Sequence, residues 1–346
     1  MIFTGDISLP YANSIKIKNA PEFLFKKRWF SNLEGAIVDN SDKLKDQWIV
    51  YNDREAIKSL IKDFNFAGFG LANNHVFDAG SYQNTIDFLD EQNIPCTGIG
   101  KNISNSALPL IDNDNNIQIL NYGWEVIQCE ISSKNKFGVN PLVREHVIKS
   151  FNDAKRNNPN LPIVVFFHWN YELEAYPHPF ERELARYLID NGAVGIIGCH
   201  PHRVGGFEVY NGKPIVYSLG NWMFMQEFYH RGKIKFPDFC NLELAFEWDF
   251  ETSELFFHFF EYDKLKSELS FLRTEDVESK TMNDLTPFRN MDNEEYKKWY
   301  KLNRFHKDKG LPIYYFEDSI GTIKFKNYLN RLRDKLIFIV VKIGLK

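Results

Sequence analysis

The sequence predicts an α/β fold in which short strands alternate with amphipathic helices. Six short apolar runs are each followed closely by carboxylate, amide or imidazole side chains, and helical periodicities lie between several of them. This order of strand, polar loop and helix is typical of a largely parallel sheet. Because ligands collect outside the carboxyl ends of parallel strands, the pattern also predicts a metal-dependent site at that edge.

The six runs differ in which polar groups follow them. Residues 1–4 precede Asp6, residues 28–30 precede Glu34, and residues 66–72 precede Asn74 and His75. Residues 163–167 precede His168, residues 194–197 precede His200 and His202, and residues 214–219 precede Gly220-Asn221. Four of the nine histidines fall in these clusters, which makes the set more informative than any single member.

Apolar residues with helical spacing predict helices over residues 54–64, 81–92 and 180–190. From residue 241 to 272 the pattern changes to alternating apolar and polar residues, which is typical of antiparallel strands. A polar, charge-rich stretch begins near Arg273. We therefore expect a domain over residues 1–272 and a basic, mostly helical extension over residues 273–346.

Composition limits the classes of partner. A formal net charge of -4 gives no electrostatic reason to expect a nucleic acid as the principal partner. The four cysteines form no Cys-x-x-Cys pair, so reduced thiols in a cytosolic protein are the simplest interpretation. Cys199 precedes His200 and could be a soft metal ligand or a small buried residue that ends a strand.

Two further observations concern location. Asp6 interrupts the apolar start of the chain, so no signal peptide is expected, and no apolar run reaches the ~18 residues needed to span a bilayer. We expect a cytoplasmic protein, either soluble or peripheral to the inner face of the membrane. Residues 325–346 resemble a basic amphipathic helix, which could contact an anionic membrane or could dock on its own domain.

The first two acidic candidates are ambiguous when each is taken alone. Asp6 can hold a divalent cation or cap a turn, and Glu34 is followed by Gly35, which permits a sharp turn beside a site.

The segment that contains Asn74 is more specific. Neutral amides suit a metal site that already carries carboxylates, and His75 beside Asn74 can act as an acid because an imidazole exchanges protons near neutral pH. Asp78 could orient the His75 ring or cap the helix that opens near residue 81.

Histidines provide the strongest local signals. His168 ends an apolar run, where a structural histidine would be unusual, and His200-Pro201-His202 places two imidazoles in a loop that we expect to be extended and fixed by proline. A single His-x-His motif is only moderately specific.

Taken together, these motifs resemble the CapA family of poly-γ-glutamate capsule biosynthesis, which is similar to the calcineurin-like metallophosphoesterases. The resemblance covers about residues 1–225. It rests on Gly5-Asp6, Asn32-Leu33-Glu34, Ala72-Asn73-Asn74-His75 with Asp78, His168-Trp169 with Glu172, Gly198-Cys199-His200-Pro201-His202 and Ser218-Leu219-Gly220-Asn221.

The resemblance implies a four-layer α/β/β/α sandwich of the metallophosphoesterase type and a two-metal centre. In that arrangement Asp6 and His202 would ligate the first metal, and Glu34 would bridge. Asn74, His168 and His200 would ligate the second metal, and His75 would stabilise or protonate the leaving group. Two metals would activate a bridging water and stabilise the attacking and leaving oxygens.

Three positions depart from the patterns of related proteins. Ser8 stands where many metallophosphoesterases have a histidine ligand, Asn170 replaces a glycine and Cys199 replaces a histidine. Secreted or membrane-anchored relatives carry a hydrophobic N-terminal segment, which we do not expect in this chain.

The sequence therefore predicts a hydrolase or transferase with two divalent metals, which could be manganese, iron or zinc. Its substrate would be a phosphoester or an envelope or capsule polymer precursor. The alternative is a non-catalytic, metal-stabilised scaffold in a polymer synthesis or export complex, which the weakened first metal site permits.

Overall fold

The computed structural model describes residues 1–12, 15–39, 49–80, 82–225 and 235–342, with side chains up to residue 336 in the last helix. The strands are β1 (Ile2–Ser8), β2 (Lys16–Lys18), β3 (Arg28–Leu33), β4 (Ala36–Val38), β5 (Tyr51–Asp53), β6 (Asn65–Gly70), β7 (Cys96–Thr97), β8 (Ile99–Gly100), β9 (Leu110–Asp112), β10 (Ile117–Gly123), β11 (Gly138–Val139), β12 (Ile163–His168), β13 (Ala193–Cys199), β14 (Phe207–Tyr210), β15 (Lys213–Val216), β16 (Asn221–Phe224), β17 (Leu242–Trp248), β18 (Leu255–Asp263) and β19 (Glu268–Glu275). The α-helices are α1 (Glu22–Lys26), α2 (Arg54–Asp63), α3 (Tyr82–Glu91), α4 (Ile103–Ser106), α5 (Arg144–Asn157), α6 (Pro179–Asp190), α7 (Lys280–Leu285), α8 (Asn293–Asn303) and α9 (Ile320–Lys342).

Two large mixed sheets form the body of the protein. The first has the order β2-β19-β18-β17-β1-β3-β6-β7, with β16 also paired to β1, and the second has the order β14-β15-β13-β12-β10-β9. Strands β1, β3 and β6 are parallel, as are β10, β12, β13 and β15. The alternating segment near residues 241–272 forms the antiparallel strands β17, β18 and β19, as predicted.

The two sheets pack face to face through a buried apolar cluster. The rings of Phe30 on β3 and Phe166 on β12 lie 5.2 Å apart, centroid to centroid, in an edge-to-face contact. Val164 and Phe166 belong to this inner cluster. Val165 and Phe167 belong to a second cluster, which also holds residues of helices α5 and α6. Since alternate residues of a strand face opposite sides, the helices cover the outer face of this sheet.

The α/β class predicted from the sequence is confirmed, and three helices lie where helical periodicity indicated them. Helices α2, α3 and α6 begin or end within two residues of the predicted limits. The Asp53 carboxylate accepts hydrogen bonds from the Glu55 and Ala56 N–H groups, which satisfies donors at the start of α2.

The segment after β19 is held against the body by a buried guanidinium. Arg182 on α6 is fully buried, pairs with Glu208 at 2.7 Å and donates a hydrogen bond to the Met291 carbonyl. The ring of Tyr296 on α8 lies 4.6 Å from the same guanidinium carbon. The division of the chain at residue 272 stays a prediction; β19 continues to Glu275.

Helix α9 begins at Ile320, five residues before the predicted helical segment, and residues 343–346 of that segment lie outside the described residues. None of the helices in the described ranges is both long enough and apolar enough to cross a lipid bilayer.

We expect Phe166→Ala to lower the free energy of unfolding by about 3–5 kcal/mol, because it leaves a cavity between the two sheets. Urea denaturation would measure the change. Leu265→Ala is the matched control, since Leu265 is 93% exposed and its truncation should change the free energy of unfolding by less than about 0.5 kcal/mol. Equal effects of the two substitutions would contradict the placement of Phe166 in the core.

Candidate metal centre

The candidate metal centre lies where the parallel strands of both sheets end. In the first sheet Asp6 on β1 is in register with Asn32 on β3. In the second sheet His168 on β12 is in register with Cys199 on β13. The face-to-face packing of the sheets therefore brings residues that are distant in sequence to one buried position.

Asp6 is fully buried and is held by two hydrogen-bond donors, one on β3 and one in the loop after β13. The Asn32 amide donates to Oδ1 at 2.8 Å, and the His200 backbone N–H donates to Oδ2 at 3.0 Å. Burial raises the pKa of Asp6, while nearby His202, the Asn32 amide and the His200 N–H act in the opposite direction. Asp6 is thus fixed in orientation without a full counter-charge.

Glu34 is fully buried, and neither of its carboxylate oxygens has a hydrogen-bond partner. His75 Nε2 and His202 Nε2 lie 3.7 Å and 3.8 Å from its Oε1. Burial, followed by the charge of Asp6, raises the pKa of Glu34 well above its usual range. A buried carboxylate in this environment requires either a proton or a cation.

The His168 ring lies close to potential metal-ligand atoms of Asn74, His200 and Asp6. Its Nε2 lies 2.7 Å from Asn74 Oδ1 and 3.1 Å from His200 Nδ1, and its Nδ1 lies 3.7 Å from Asp6 Oδ1. Burial lowers the pKa of both imidazoles well below the usual histidine value. Neutral imidazoles are the form that binds metals.

The loop that carries His200 and His202 is not extended, contrary to the sequence-based expectation. His200 and His202 have φ values of 96° and 55°, in the left-handed region that non-glycine residues rarely adopt. This backbone directs the His200 N–H to Asp6 while its ring lies against His168. Strain of this kind, about 1–3 kcal/mol per residue, typically persists at functional sites.

His202 is oriented by groups outside the candidate ligand set. Its Nδ1 lies 2.9 Å from Asn221 Oδ1, and its ring stacks on Phe236 with centroids 4.5 Å apart. With Nδ1 donating to the amide oxygen, Nε2 carries the lone pair and is the nitrogen nearer Glu34. Burial lowers the pKa of His202, while the charge of Asp6 opposes that change.

His75 and Asp78 form a pair at the edge of the buried cluster. His75 Nδ1 lies 2.6 Å from Asp78 Oδ2, which also accepts a hydrogen bond from the Val50 N–H at 2.9 Å. The side chain of His75 is 28% exposed, unlike the fully buried Glu34. Asp78 is therefore placed to fix the orientation of the His75 imidazole. Nε2 of His75 is then the nitrogen on the side of the Glu34 carboxylate.

The described residues contain two overlapping groups of side chains that could hold a metal ion. Asp6, Glu34 and His202 form one, and Asp6, His168 and Cys199 form the other. Within each group, the potential ligand atoms all lie within 4.8 Å of one another. Burial raises the pKa of the Cys199 thiol well above its usual range. Asp6 is common to both groups.

A cavity of about 600 Å³ opens beside this cluster. Asn74, His75, His200 and His202 are among the residues that line it. Tyr171, Glu172 and Leu173 also line it, as do Phe224, Lys235 and Phe236 on either side of residues 226–234, which lie outside the described part. Residues of the C-terminal segment line it as well, namely His306, Lys309, Leu311, Asn330, Arg333 and Asp334.

Several polar residues at the site were not among the predicted ligands. Asn32 and Asn221 each contact a predicted ligand, and Asn73 donates from Nδ2 to Asn32 Oδ1 at 3.2 Å. An asparagine within an apolar strand was the available sequence signal for Asn32. The C-terminal wall gave no local signal, because Lys309 and Arg333 are joined to the site only through tertiary packing.

Known proteins are similar in sequence to the part of the chain that carries most of the candidate ligands. The sequence model of the family described as "Bacterial capsule synthesis protein PGA_cap" matches residues 18–226, more than half of the chain. Asp6 precedes the matched segment, and Lys309 and Arg333 follow it.

Two curated bacterial proteins are similar over about half of the chain. The "PGA biosynthesis protein CapA" of Bacillus subtilis (strain 168) is 34% identical over 179 residues, which cover 50% of this chain and 46% of that protein. The "Capsule biosynthesis protein CapA" of Bacillus anthracis is 32% identical over 188 residues, 52% of this chain and 46% of that protein. The matched region thus spans slightly less than half the length of these relatives.

We expect Mn²⁺ or Zn²⁺ to raise the thermal unfolding temperature of chelator-treated protein, and we expect Glu34→Gln to abolish most of that increase. Metal at ~100 times its Kd would stabilise the native chain by about 2.7 kcal/mol. Scanning calorimetry with and without metal measures both effects. Asp114→Asn, at a side chain that is 69% exposed, is the control and should respond as the native chain does.

The metal-free Glu34→Gln variant should be more stable than the metal-free native chain, and by more at pH 8 than at pH 5. The pKa of Glu34 is higher in the folded chain than in the unfolded chain. As the pH rises above the unfolded-state pKa, the unfolded chain loses this proton more readily, so the free energy of unfolding falls. The amide removes that cost. A variant that is destabilised without metal at both pH values would contradict an uncompensated charge at Glu34.

Proposed function

Because the chain belongs to the bacterial capsule synthesis protein family PGA_cap, we propose that it is a metal-dependent hydrolase or transferase in the biosynthesis of a capsule or other extracellular polymer. Its substrate would be a phosphoester or a polymer precursor. The names of the two Bacillus relatives support the biological setting, since one refers to PGA biosynthesis and the other to capsule biosynthesis.

The buried carboxylate of Glu34, which accepts no hydrogen bond, carries this proposal. It lies beside the equally buried Asp6, among imidazoles whose pKa values are lowered, so the protein itself supplies little positive charge. Divalent cations would compensate the two carboxylates. Mixed oxygen and imidazole donors fit manganese, iron or zinc, and the Cys199 sulfur would favour zinc.

We assign two groups of residues to two metal ions. Asp6 and His202 would hold the first, and Asn74, His168 and His200 the second, while Glu34 would contribute its carboxylate beside Asp6 and His202. The bound ions would supply Lewis-acid charge and lower the pKa of a water molecule. Asn221 and Asn32 would keep His202 and Asp6 in orientation, through the hydrogen bonds already described.

His75 would transfer a proton to the leaving group. Asp78 holds its Nδ1, so Nε2 is the atom left to exchange a proton with a group in the cavity. The position of His75 between the buried carboxylate and the cavity supports this assignment over a structural role. Asp78 would act through His75 as a positioning residue.

Among the described residues, the cations Lys235, Lys309 and Arg333 line the cavity. They would favour a substrate with negative charge next to the bond that reacts. We place the reaction in the cytoplasm. The four cysteines are free, and three of them are buried, which supports a reducing compartment.

A metal-stabilised scaffold without catalysis is the second candidate. This candidate is favoured by Ser8, because many metallophosphoesterases have a histidine ligand at the position that Ser8 occupies in this chain. The Ser8 hydroxyl donates to the Tyr51 carbonyl at 3.2 Å. A first metal site with fewer ligands could hold its ion for structure alone.

His75→Ala distinguishes the two candidates. We expect it to lower kcat for a phosphodiester probe, bis(p-nitrophenyl) phosphate, by about 10²–10⁴-fold without changing the metal content. Asp6→Ala and His200→Ala should lose both activity and metal, as measured by elemental analysis. No turnover by metal-loaded native protein on phosphoester or amide probes, with function in cells retained by His75→Ala, would support the scaffold.

Lys309→Ala tests the charged wall of the cavity. We expect it to raise KM for the anionic phosphodiester several-fold and to leave KM for a neutral phosphotriester unchanged, since only the first gains from a nearby cation. Lys280→Ala, at a side chain that is 91% exposed and outside the cavity, is the control. The same KM in both variants would exclude a binding role for Lys309.

A further inference from the structure

Helix α9 has one face turned to the body of the protein. Residues at successive spacings of four, three and four form it, namely Ile323, Asn327, Asn330 and Asp334. The Asn327 amide donates to Glu125 Oε2 at 3.4 Å, and Asn330, which is 4% exposed, donates to the Val126 carbonyl at 3.5 Å. The contacts that orient α9 on the body are thus largely polar.

The opposite face of α9 is apolar and exposed. Five side chains at helical spacing form this strip, and their exposed fractions are 61%, 61%, 39%, 42% and 55% for Phe325, Tyr328, Leu329, Leu332 and Leu336 respectively. In most amphipathic helices the apolar side faces the core and the polar side faces water. Here the arrangement is reversed, so the strip is available to another apolar phase.

Basic residues border this apolar strip on both sides. Lys324, Arg331 and Lys335 recur at spacings of seven and four along one side, and Lys326 and Arg333 lie along the other. The only acidic residue of the helix, Asp334, is on the face toward the body. The apolar strip therefore carries cationic borders, in which Arg331, Lys326 and Arg333 also form ion pairs with Glu125, Asp318 and Asp334 respectively.

We propose that α9 docks the protein on an anionic lipid bilayer, parallel to its surface. The rings and leucines of the apolar strip would enter the boundary between headgroups and acyl chains, while the basic borders would contact phosphate and carboxylate headgroups. A second copy of the chain fits less well, because two such strips would bring their basic borders together.

The docking helix also forms part of the cavity beside the metal centre. Asn330, Arg333 and Asp334 line that cavity from one side of α9, while Leu329, Leu332 and Leu336 extend from the other. Docking would hold the cavity next to the lipid headgroups. If the proposed function holds, the substrate would then be a precursor carried on the membrane.

Vesicle sedimentation with the full chain tests the docking. We expect binding to vesicles of phosphatidylserine and phosphatidylcholine, weaker binding at high salt, and little binding to phosphatidylcholine alone. Phe325→Glu with Leu336→Glu should weaken binding to the anionic vesicles at least about tenfold. Leu265→Glu with Leu302→Glu is the matched control, since these side chains are 93% and 72% exposed elsewhere and carry the same change of charge.

Metal content, measured on the same samples, separates this proposal from the proposed function. The α9 variant should keep the native metal content and unfolding temperature, so a loss of vesicle binding can be assigned to the helix. Equal binding by native and α9-variant protein would overturn the docking, as would no binding by the native chain. A native dimer that dissociates in the α9 variant, without vesicle binding, would assign the strip to a second copy instead.

Discussion

The buried charge of Asp6 and Glu34 is the constraint on which the rest of the site depends. Burying two carboxylates between two sheets is unfavourable unless a cation or a proton neutralises their charge. In this chain the Asn32 amide and the His200 N–H donate hydrogen bonds to Asp6, and the neighbouring imidazoles are neutral. The fold tolerates the cost because large apolar side chains such as Phe30 and Phe166 stabilise the surrounding sandwich.

Much of this arrangement could be predicted from local pattern. Apolar runs identified the strands, helical spacing identified α2, α3 and α6, and polar residues after strands identified the groups that meet at the site. Each of these signals is contained in a short segment, so it can be recognised without knowing which other segments pack against it. The left-handed backbone at His200 and His202 could not be predicted in this way. It accompanies a hydrogen bond from the His200 N–H to Asp6, which is 194 residues away in sequence.

The C-terminal segment shows where local reasoning ends. Its basic character and helical periodicity are visible in the sequence, but its position beside the cavity depends on the buried pair of Arg182 and Glu208 and on the packing of α8. Neither residue carries a recognisable motif. The match to the family model covers residues 18–226 and therefore ends before this segment.

The order in which the chain is synthesised bears on how the site matures. All the candidate metal ligands have been made once His202 has emerged, but β1 must still pair with β17, and the cavity wall waits for Arg333. Pairings between residues so far apart form slowly, and strands that lack their neighbours are exposed in the meantime. The ligands are therefore accessible to ions and to chaperones during translation, and the lining of the cavity is complete only after α9 has been synthesised.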